Sequence, residues 1–473
     1  MRLRQSLLPQ IPHSGILAEQ TPSAPFRIRP WMEHASETIS SVPKAAAGPQ
    51  SPRPPLLEDV SFWGMTATQF LGAFNDNLVK QLALLIAAPA ALAAGAAAKE
   101  ADEQPLAMAL FSIPFLLFSS YAGFLSERYS KRSIIVLCKI AEIGIVLLGM
   151  AAFAAWNFTG MAGLLVVVFL MGTHSAFFGP GKYGILPELF AERDLPKANG
   201  IVLMTTFLAI IFGTALAGLL RYLLGDDRLW LASIACLLIA VGGTQTALLV
   251  RPVPAADPKL QFTWSAFLIP RAMRDLLARD RTLLWVILVN SLFWLIGGIV
   301  QPTVNAVGKD QFAVADWLTS LLAACMGVGI ALGSLLAIGL SRGKVNFALV
   351  KAGAWLIVIT LGLLSLSGGH HLDLQQDWLL VSLYAAGLVL LGVFAGLFAV
   401  PLQVFLQTRP PSSLKGRTIA TNNLANWIGI VGSAGVYWLF ARIVEALDWQ
   451  RTTVFAFTAL IMLPVALFYR PRE

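Results

Sequence analysis

The feature that most constrains this chain is a succession of apolar runs from residue 61 to residue 469, most longer than about 18 residues. At about 1.5 Å per residue, such a run makes a helix that crosses about 30 Å of hydrocarbon. Only 13% of the residues are charged and 57% are hydrophobic, whereas a soluble domain carries about 25% charge. An all-α integral membrane protein follows. Twelve spans are expected, at 61–88, 106–126, 134–156, 162–187, 199–223 and 229–250, then 283–306, 317–340, 346–367, 378–406, 418–443 and 451–469.

The rest of the chain divides around these spans. Residues 1–57 contain "TPSAPFRIRP" and "AAAGPQSPRPP"; without hydrophobic periodicity, they are expected to be a disordered cytoplasmic extension. No apolar h-region follows "MRLRQSLLPQIP", so no secretory signal is expected. Residues 58–250 form a first six-helix bundle and 282–473 a second. The linker 251–281 contains "WSAFLIPRAMRDLLARDR", a basic amphipathic segment expected at the membrane surface.

The net charge of +8 does not mark a nucleic-acid binder, because the basic residues lie between spans. Connections on one side carry eighteen Lys and Arg and those on the other carry six. The positive-inside rule places the richer side, and both termini, in the cytoplasm. Cys138, Cys236 and Cys325 all lie in apolar runs, without disulfide or zinc-ligand spacing. No metal, cofactor or catalytic set is expected, and the chain reads as a transporter rather than an enzyme.

The two halves repeat. Pro180 in "FFGPGKYGILPEL" and Pro401 in "FAVPLQVFLQTRPP" lie 221 residues apart, each at the end of its half's fourth span. Two parallel repeats with a substrate site between them is a transporter architecture.

Charge inside the spans marks the site. "FLGAFNDNLVK" places Asn75, Asp76, Asn77 and Lys80 in span 1. On a helix Asp76 and Lys80 face one way, in one stripe with Gln69 and Ala73. Asp76 lies about 22 Å from the inner end at 1.5 Å per residue, where a charge costs at least about 2.5–3.5 kcal/mol and therefore faces the bundle interior. "GPGKYGILPEL" adds Lys182 in span 4, able to pair with Asp76 or to meet a phosphate as a point charge. Lys139 and Glu142, three residues apart in span 3, read as a structural pair. His174 reads as a core histidine or a proton relay, and Asn290, Asn422, Asn423 and Asn426 as interhelical hydrogen-bonding groups.

"GFLSERYSKRSII" at 123–135 resembles the loop 2–3 signature of the major facilitator superfamily, with Glu127 where Asp is usual and Ser130 where Gly is usual. Gly123, Glu127, Arg128, Lys131 and Arg132 are expected to gate. Gly123 would allow close helix approach, Glu127 and Arg128 would pair, and Lys131 and Arg132 would anchor the loop at headgroups. With "ATQFLGAFNDN" and "FFGPGKYGILPELFAERDLPKANG", residues from about 60 to 470 resemble the lysophospholipid transporter family.

That resemblance implies two bundles rocking about a central cavity, movement of lysophospholipids to the inner leaflet of the bacterial inner membrane, and re-acylation there by a separate acyltransferase. It places the family's intramembrane acid at Asp76, its span 4 lysine at Lys182, and matching amides at Asn75 and Asn77. A monomer in contact with membrane lipid is implied. Some relatives carry a fused acyltransferase, but none of the five histidines here has an Asp five residues later. The residues by themselves leave open a soluble-metabolite or drug transporter, proton-coupled through Asp76.

Overall fold

Aspartate and asparagine side chains start three of the helices by accepting backbone N–H groups that a first turn leaves unpaired. Asp59 accepts from the Ser61 N–H at 2.8 Å, Asp280 from Leu283 at 3.0 Å and Asn346 from Ala348 at 3.1 Å. Gly225 ends another helix at φ 64°, a left-handed backbone that glycine adopts readily. In this computed structural model residues 54–89, 102–191, 194–263, 269–341, 345–367, 377–411 and 414–469 are described. The expected disorder of residues 1–57 falls almost wholly outside them.

Twelve long helices run through the described residues: α1 (Val60–Ala87), α2 (Gln104–Arg128), α3 (Lys131–Ala154), α4 (Trp156–Gly184), α5 (Leu195–Leu224), α6 (Trp230–Leu248), α7 (Arg281–Ala306), α8 (Asp316–Ser341), α9 (Phe347–Ser365), α10 (Trp378–Thr408), α11 (Lys415–Ala446) and α12 (Thr453–Phe468). Ten are long and apolar enough to cross a membrane. Of the other two, α12 is apolar but has only 16 residues. α1 has 28 residues, but Gln69, Asn75, Asp76, Asn77, Lys80 and Gln81 dilute its apolar content.

The halves pack alike. α1 lies on α5 as α7 lies on α11, α2 on α4 as α8 on α10, and α3 on α6 as α9 on α12. Small residues allow the closest approaches: a Cβ on Gly172 of α4 would lie 2.1 Å from Phe111 O of α2, and one on Gly329 of α8 would lie 2.1 Å from Val389 O of α10. Between the halves, α5 meets α8 and α2 meets α11.

Part of the linker is a helix over Arg271–Arg279. Its apolar side turns onto protein: Met273 is fully buried, and Leu276 and Leu277 pack on the second half's core. The expectation placed this side on the membrane; the structure gives it to the bundle, and Arg271, Arg274 and Arg279 stay exposed. Residues 264–268 of the segment lie outside the described residues. Burial pushes the Asp280 carboxyl up, but hydrogen bonds from Arg409 and from the Leu283 and Thr282 backbone hold it below the usual carboxylate range.

Side-chain bonds between the halves gather at the end away from the basic connections. Buried Gln81 of α1 donates to Asn305 Oδ1 of α7 at 2.9 Å and accepts from Gln301 at 3.2 Å. Asn305 donates to Gln104 Oε1 of α2 at 3.0 Å. Tyr437 of α11 donates to Asp102 Oδ2 at 2.5 Å, and Arg221 of α5 pairs with Asp316 of α8 at 3.1 Å. Further along the same seam Phe115 stacks on Trp427, with ring centroids 3.7 Å apart.

Candidate functional site

Two polar layers cross the first half where α1 and α4 run antiparallel. They lie seven residues apart on both helices, about 10 Å at 1.5 Å per residue. The layer nearer the basic connections holds Gln69, Lys182, Thr205 and Thr206. Gln69 Nε2 donates to Thr205 Oγ1 at 2.6 Å, and Thr206 Oγ1 lies 2.8 Å from Gln69 Oε1. Lys182 Nζ donates to Thr206 Oγ1 at 3.3 Å and sits 5.0 Å from the Tyr183 ring centroid. No carboxylate is within 4 Å of Lys182 among the described residues.

The deeper layer holds Asp76. Ser175 donates to its Oδ2 at 2.5 Å, and His174 Nδ1 lies 3.9 Å from its Oδ1. Oδ1 is buried without a hydrogen-bond partner. Lys80, expected to face Asp76, lies over the Phe111 ring at 5.7 Å from its centroid. Among the described residues no ion pair within 4 Å joins Asp76 to Lys80 or Lys182. Among the described residues, the site therefore keeps an acid and a base apart, with neither in an ion pair with Lys, Arg, Asp or Glu within 4 Å.

Behind this layer lies the Lys139–Glu142 ion pair, both side chains fully buried. Asn75, expected beside the substrate, donates to Glu142 Oε1 at 2.7 Å and to Cys236 O at 3.3 Å; it is sealed between α1, α3 and α6. Asn77 donates to Ala73 O of its own helix at 2.7 Å. Removing one member of a buried pair costs about 3–5 kcal/mol, because a charge is left unmatched. Lys139→Ala is therefore expected to lower the melting temperature of the purified protein sharply, and joint replacement of Lys139 and Glu142 by methionine to recover much of the loss. An unchanged melting temperature for Lys139→Ala would contradict this role.

The second half builds the same knot from amides. Asn290 stands 221 residues after Gln69, and Gln403 the same distance after Lys182. Asn290 Nδ2 donates to Asn422 Oδ1 at 3.0 Å, and Gln403 Nε2 donates to Asn290 Oδ1 at 3.3 Å. The counterpart of Asp76 at the same offset is Gly297. At the positions equivalent to Asp76 and Lys182, the second half thus carries no charge.

The residues expected to gate form a clasp at the basic end. Lys131 pairs with Glu188. Arg132 donates to Val250 O at 2.6 Å and Leu248 O at 3.1 Å, satisfying carbonyls at the negative end of α6. Arg128 donates to Leu260 O at 3.2 Å, and the Glu127 carbonyl accepts from Asp257 N at 2.9 Å. Lys131 and Arg132, expected at headgroups, thus take protein partners. A Cβ on Gly123 would meet no atom within 4 Å, so the close approach expected there is not made in this conformation. Sequence reasoning did not single out Ser175, Thr206 or Gln403; a serine beside a histidine in an apolar run is the faint signal for the first.

Residues 62–434 match the model of the Major Facilitator Superfamily. The chain is 30% identical over 395 residues to the lysophospholipid transporter LplT of Escherichia coli O1:K1 / APEC, covering 80% of this chain and 89% of that one. The LplT of Escherichia coli strain SE11 is also 30% identical, over 401 residues and 91% of its length. Among solved structures, the fold is similar to a POT family transporter in complex with a thioalcohol-conjugated peptide, with a TM-score of 0.62, 12% identity, and 86% and 95% of the two chains covered. It is also similar to the nucleoside transporter NupG D323A mutant, with a TM-score of 0.57, 12% identity, and 87% and 98% coverage. The chain is a multi-pass membrane transporter and belongs to the lysophospholipid transporter family of the major facilitator superfamily.

Proposed function

We propose that the chain moves lysophospholipids, such as lysophosphatidylethanolamine, across the bacterial inner membrane to the cytoplasmic leaflet, by alternating access. A separate acyltransferase restores the second acyl chain there. The observation that carries this reading is an acid and a base held apart inside the bundle. Asp76 has a buried oxygen without a hydrogen-bond partner, and Lys182 Nζ meets the Thr206 hydroxyl and the Tyr183 ring. Lys182 takes the headgroup phosphate as a point charge and Asp76 the headgroup ammonium.

The positive-inside bias supports a cytoplasmic basic end; the bonds of Gln81, Gln104 and Asn305 between the halves act as a latch at the other end, and on this reading the carrier faces inward. Rocking then breaks the latch and closes the clasp end. The test is uptake of radiolabelled lysophosphatidylethanolamine by spheroplasts lacking their own transporter. Expression of this chain restores uptake on the proposed reading. A well-expressed chain that moves none of several lysophospholipids removes the lipid substrate and returns the site to a soluble metabolite.

A further inference from the structure

The amide knot of the second half ends in an open acceptor. Gln403 on α10 is half-buried, and its Nε2 donates to Asn290 Oδ1 on α7 at 3.3 Å. Asn290 in turn donates to Asn422 Oδ1 on α11 at 3.0 Å. Asn290 and Asn422 are buried, so Gln403 is the end of the chain that reaches open space. Among the described residues its Oε1 has no hydrogen-bond partner. We propose that Gln403 Oε1 accepts a hydrogen bond from the free glycerol hydroxyl of the lysophospholipid. It thereby reads the group that separates this lipid from a phospholipid with two acyl chains. The inference deepens the transport reading above and rests on it.

The first support is direction. Each amide of the chain gives an N–H to the next oxygen in the same sense. Turning the Gln403 amide over would set its oxygen against Asn290 Oδ1, acceptor against acceptor. Asn290 therefore fixes Gln403 with its nitrogen inward and its oxygen outward. The base of the chain is rigid. Ser291 donates to Ala425 O on α11 at 2.5 Å, and a Cβ on Gly429 of α11 would lie 2.6 Å from Ser291 O.

The second support is place. Gln403 stands where the repeat puts Lys182 in the first half, 221 residues earlier. An amide turned towards hydrocarbon is left unpaired at a cost, so the open side of Gln403 faces the space between the halves. In a lysophospholipid the phosphate and the free hydroxyl hang from neighbouring glycerol carbons. A phosphate held by Lys182 thus carries the hydroxyl with it, and two adjacent groups of one lipid meet equivalent positions of the two halves.

The third support is the match of donor to acceptor. The ammonium is a charged donor and goes to the Asp76 carboxylate. The hydroxyl is a neutral donor and suits a neutral amide oxygen. A second acyl chain replaces that hydroxyl with an ester, whose oxygens only accept, and Gln403 Oε1 then has no donor. The contact favours the single-chain lipid over the two-chain product of re-acylation. Water reaches a half-buried Oε1 in the empty carrier, so the preference is that of one neutral hydrogen bond, about three- to tenfold.

The test uses the full chain in spheroplasts lacking their own transporter, at matched expression and at lipid concentrations well below saturation. The probes are radiolabelled lysophosphatidylethanolamine and its analogue with hydrogen in place of the glycerol hydroxyl. Wild type is expected to take up the natural lipid about three- to tenfold faster than the analogue. Gln403→Met is expected to move the analogue at the wild-type rate, which shows that it is folded, and the natural lipid no faster. Equal uptake of the two lipids by wild type overturns the hydroxyl contact and leaves the transport reading standing. A preference retained in Gln403→Met gives the hydroxyl to another group and overturns the role of Gln403. Equal loss of both lipids in Gln403→Met makes the knot a brace of the fold and overturns that role as well. A wild type that moves neither lipid overturns the transport reading and the contact together.

Discussion

Replacing Asp76 by asparagine, or Lys182 by glutamine, lowers lysophosphatidylethanolamine uptake by about 10- to 100-fold, because a hydrogen bond to a charged group is worth about 1.5–3 kcal/mol and 1.4 kcal/mol is about tenfold. Both changes remove charge; asparagine keeps the shape of aspartate, and glutamine is a shorter polar replacement for lysine. Asparagine still offers an oxygen to Ser175, which now binds Asp76 Oδ2. Glutamine at 182 copies the second half, where Gln403 already occupies the equivalent place in an amide knot. The two variants separate the roles proposed for their parents. Asp76→Asn weakens transport of an ethanolamine headgroup more than that of a glycerol headgroup, which has no ammonium. Lys182→Gln weakens both, because both carry the phosphate. Uptake in spheroplasts at matched expression measures this. Full activity of Lys182→Gln, or equal losses for the two headgroups in Asp76→Asn, would contradict the assignment.

The twelve helices were legible in the sequence because the bilayer imposes one length and one polarity on every span. Asp76 and Lys182 were legible because a charge is costly in hydrocarbon and stands out there. Their neighbours were not. A helical sequence tells which residues share a face, not which helix that face meets. Spacing set Lys80 against Asp76, yet the packing of α1 on α2 carries Lys80 to Phe111. Asn75 and Asp76 are adjacent in sequence but point about 100° apart on a helix, so Asn75 turns to Glu142 while Asp76 turns to Ser175. His174 gained its place only when α4 packed between α1 and α3. The linker misled for a related reason: an apolar helix face reads alike whether lipid or protein covers it, and here Met273 is covered by protein.

That division of labour makes the latch the part of the molecule whose disruption has a large and specific effect. Gln81, Gln104 and Asn305 are fully buried, belong to three helices, and bond one another across the two halves. Buried amides that take partners from the opposite half hold one conformation and must part for the other. Cysteines at Gln81 and Asn305, joined by a short reducible cross-linker, are therefore expected to cut lysophospholipid uptake at least about tenfold, since a tether that adds about 1.4 kcal/mol against opening changes the population that far. Cys138, Cys236 and Cys325 are first replaced by alanine so that no other thiol reacts. Reduction of the linker restores uptake, which distinguishes a locked carrier from a damaged one. The same cross-link leaves a headgroup analogue able to reach Asp76 and Lys182 from the basic end, because the latch closes only the other. Transport that continues through a complete cross-link would mean that the two halves never separate along α1 and α7, and that the substrate passes the site without rocking.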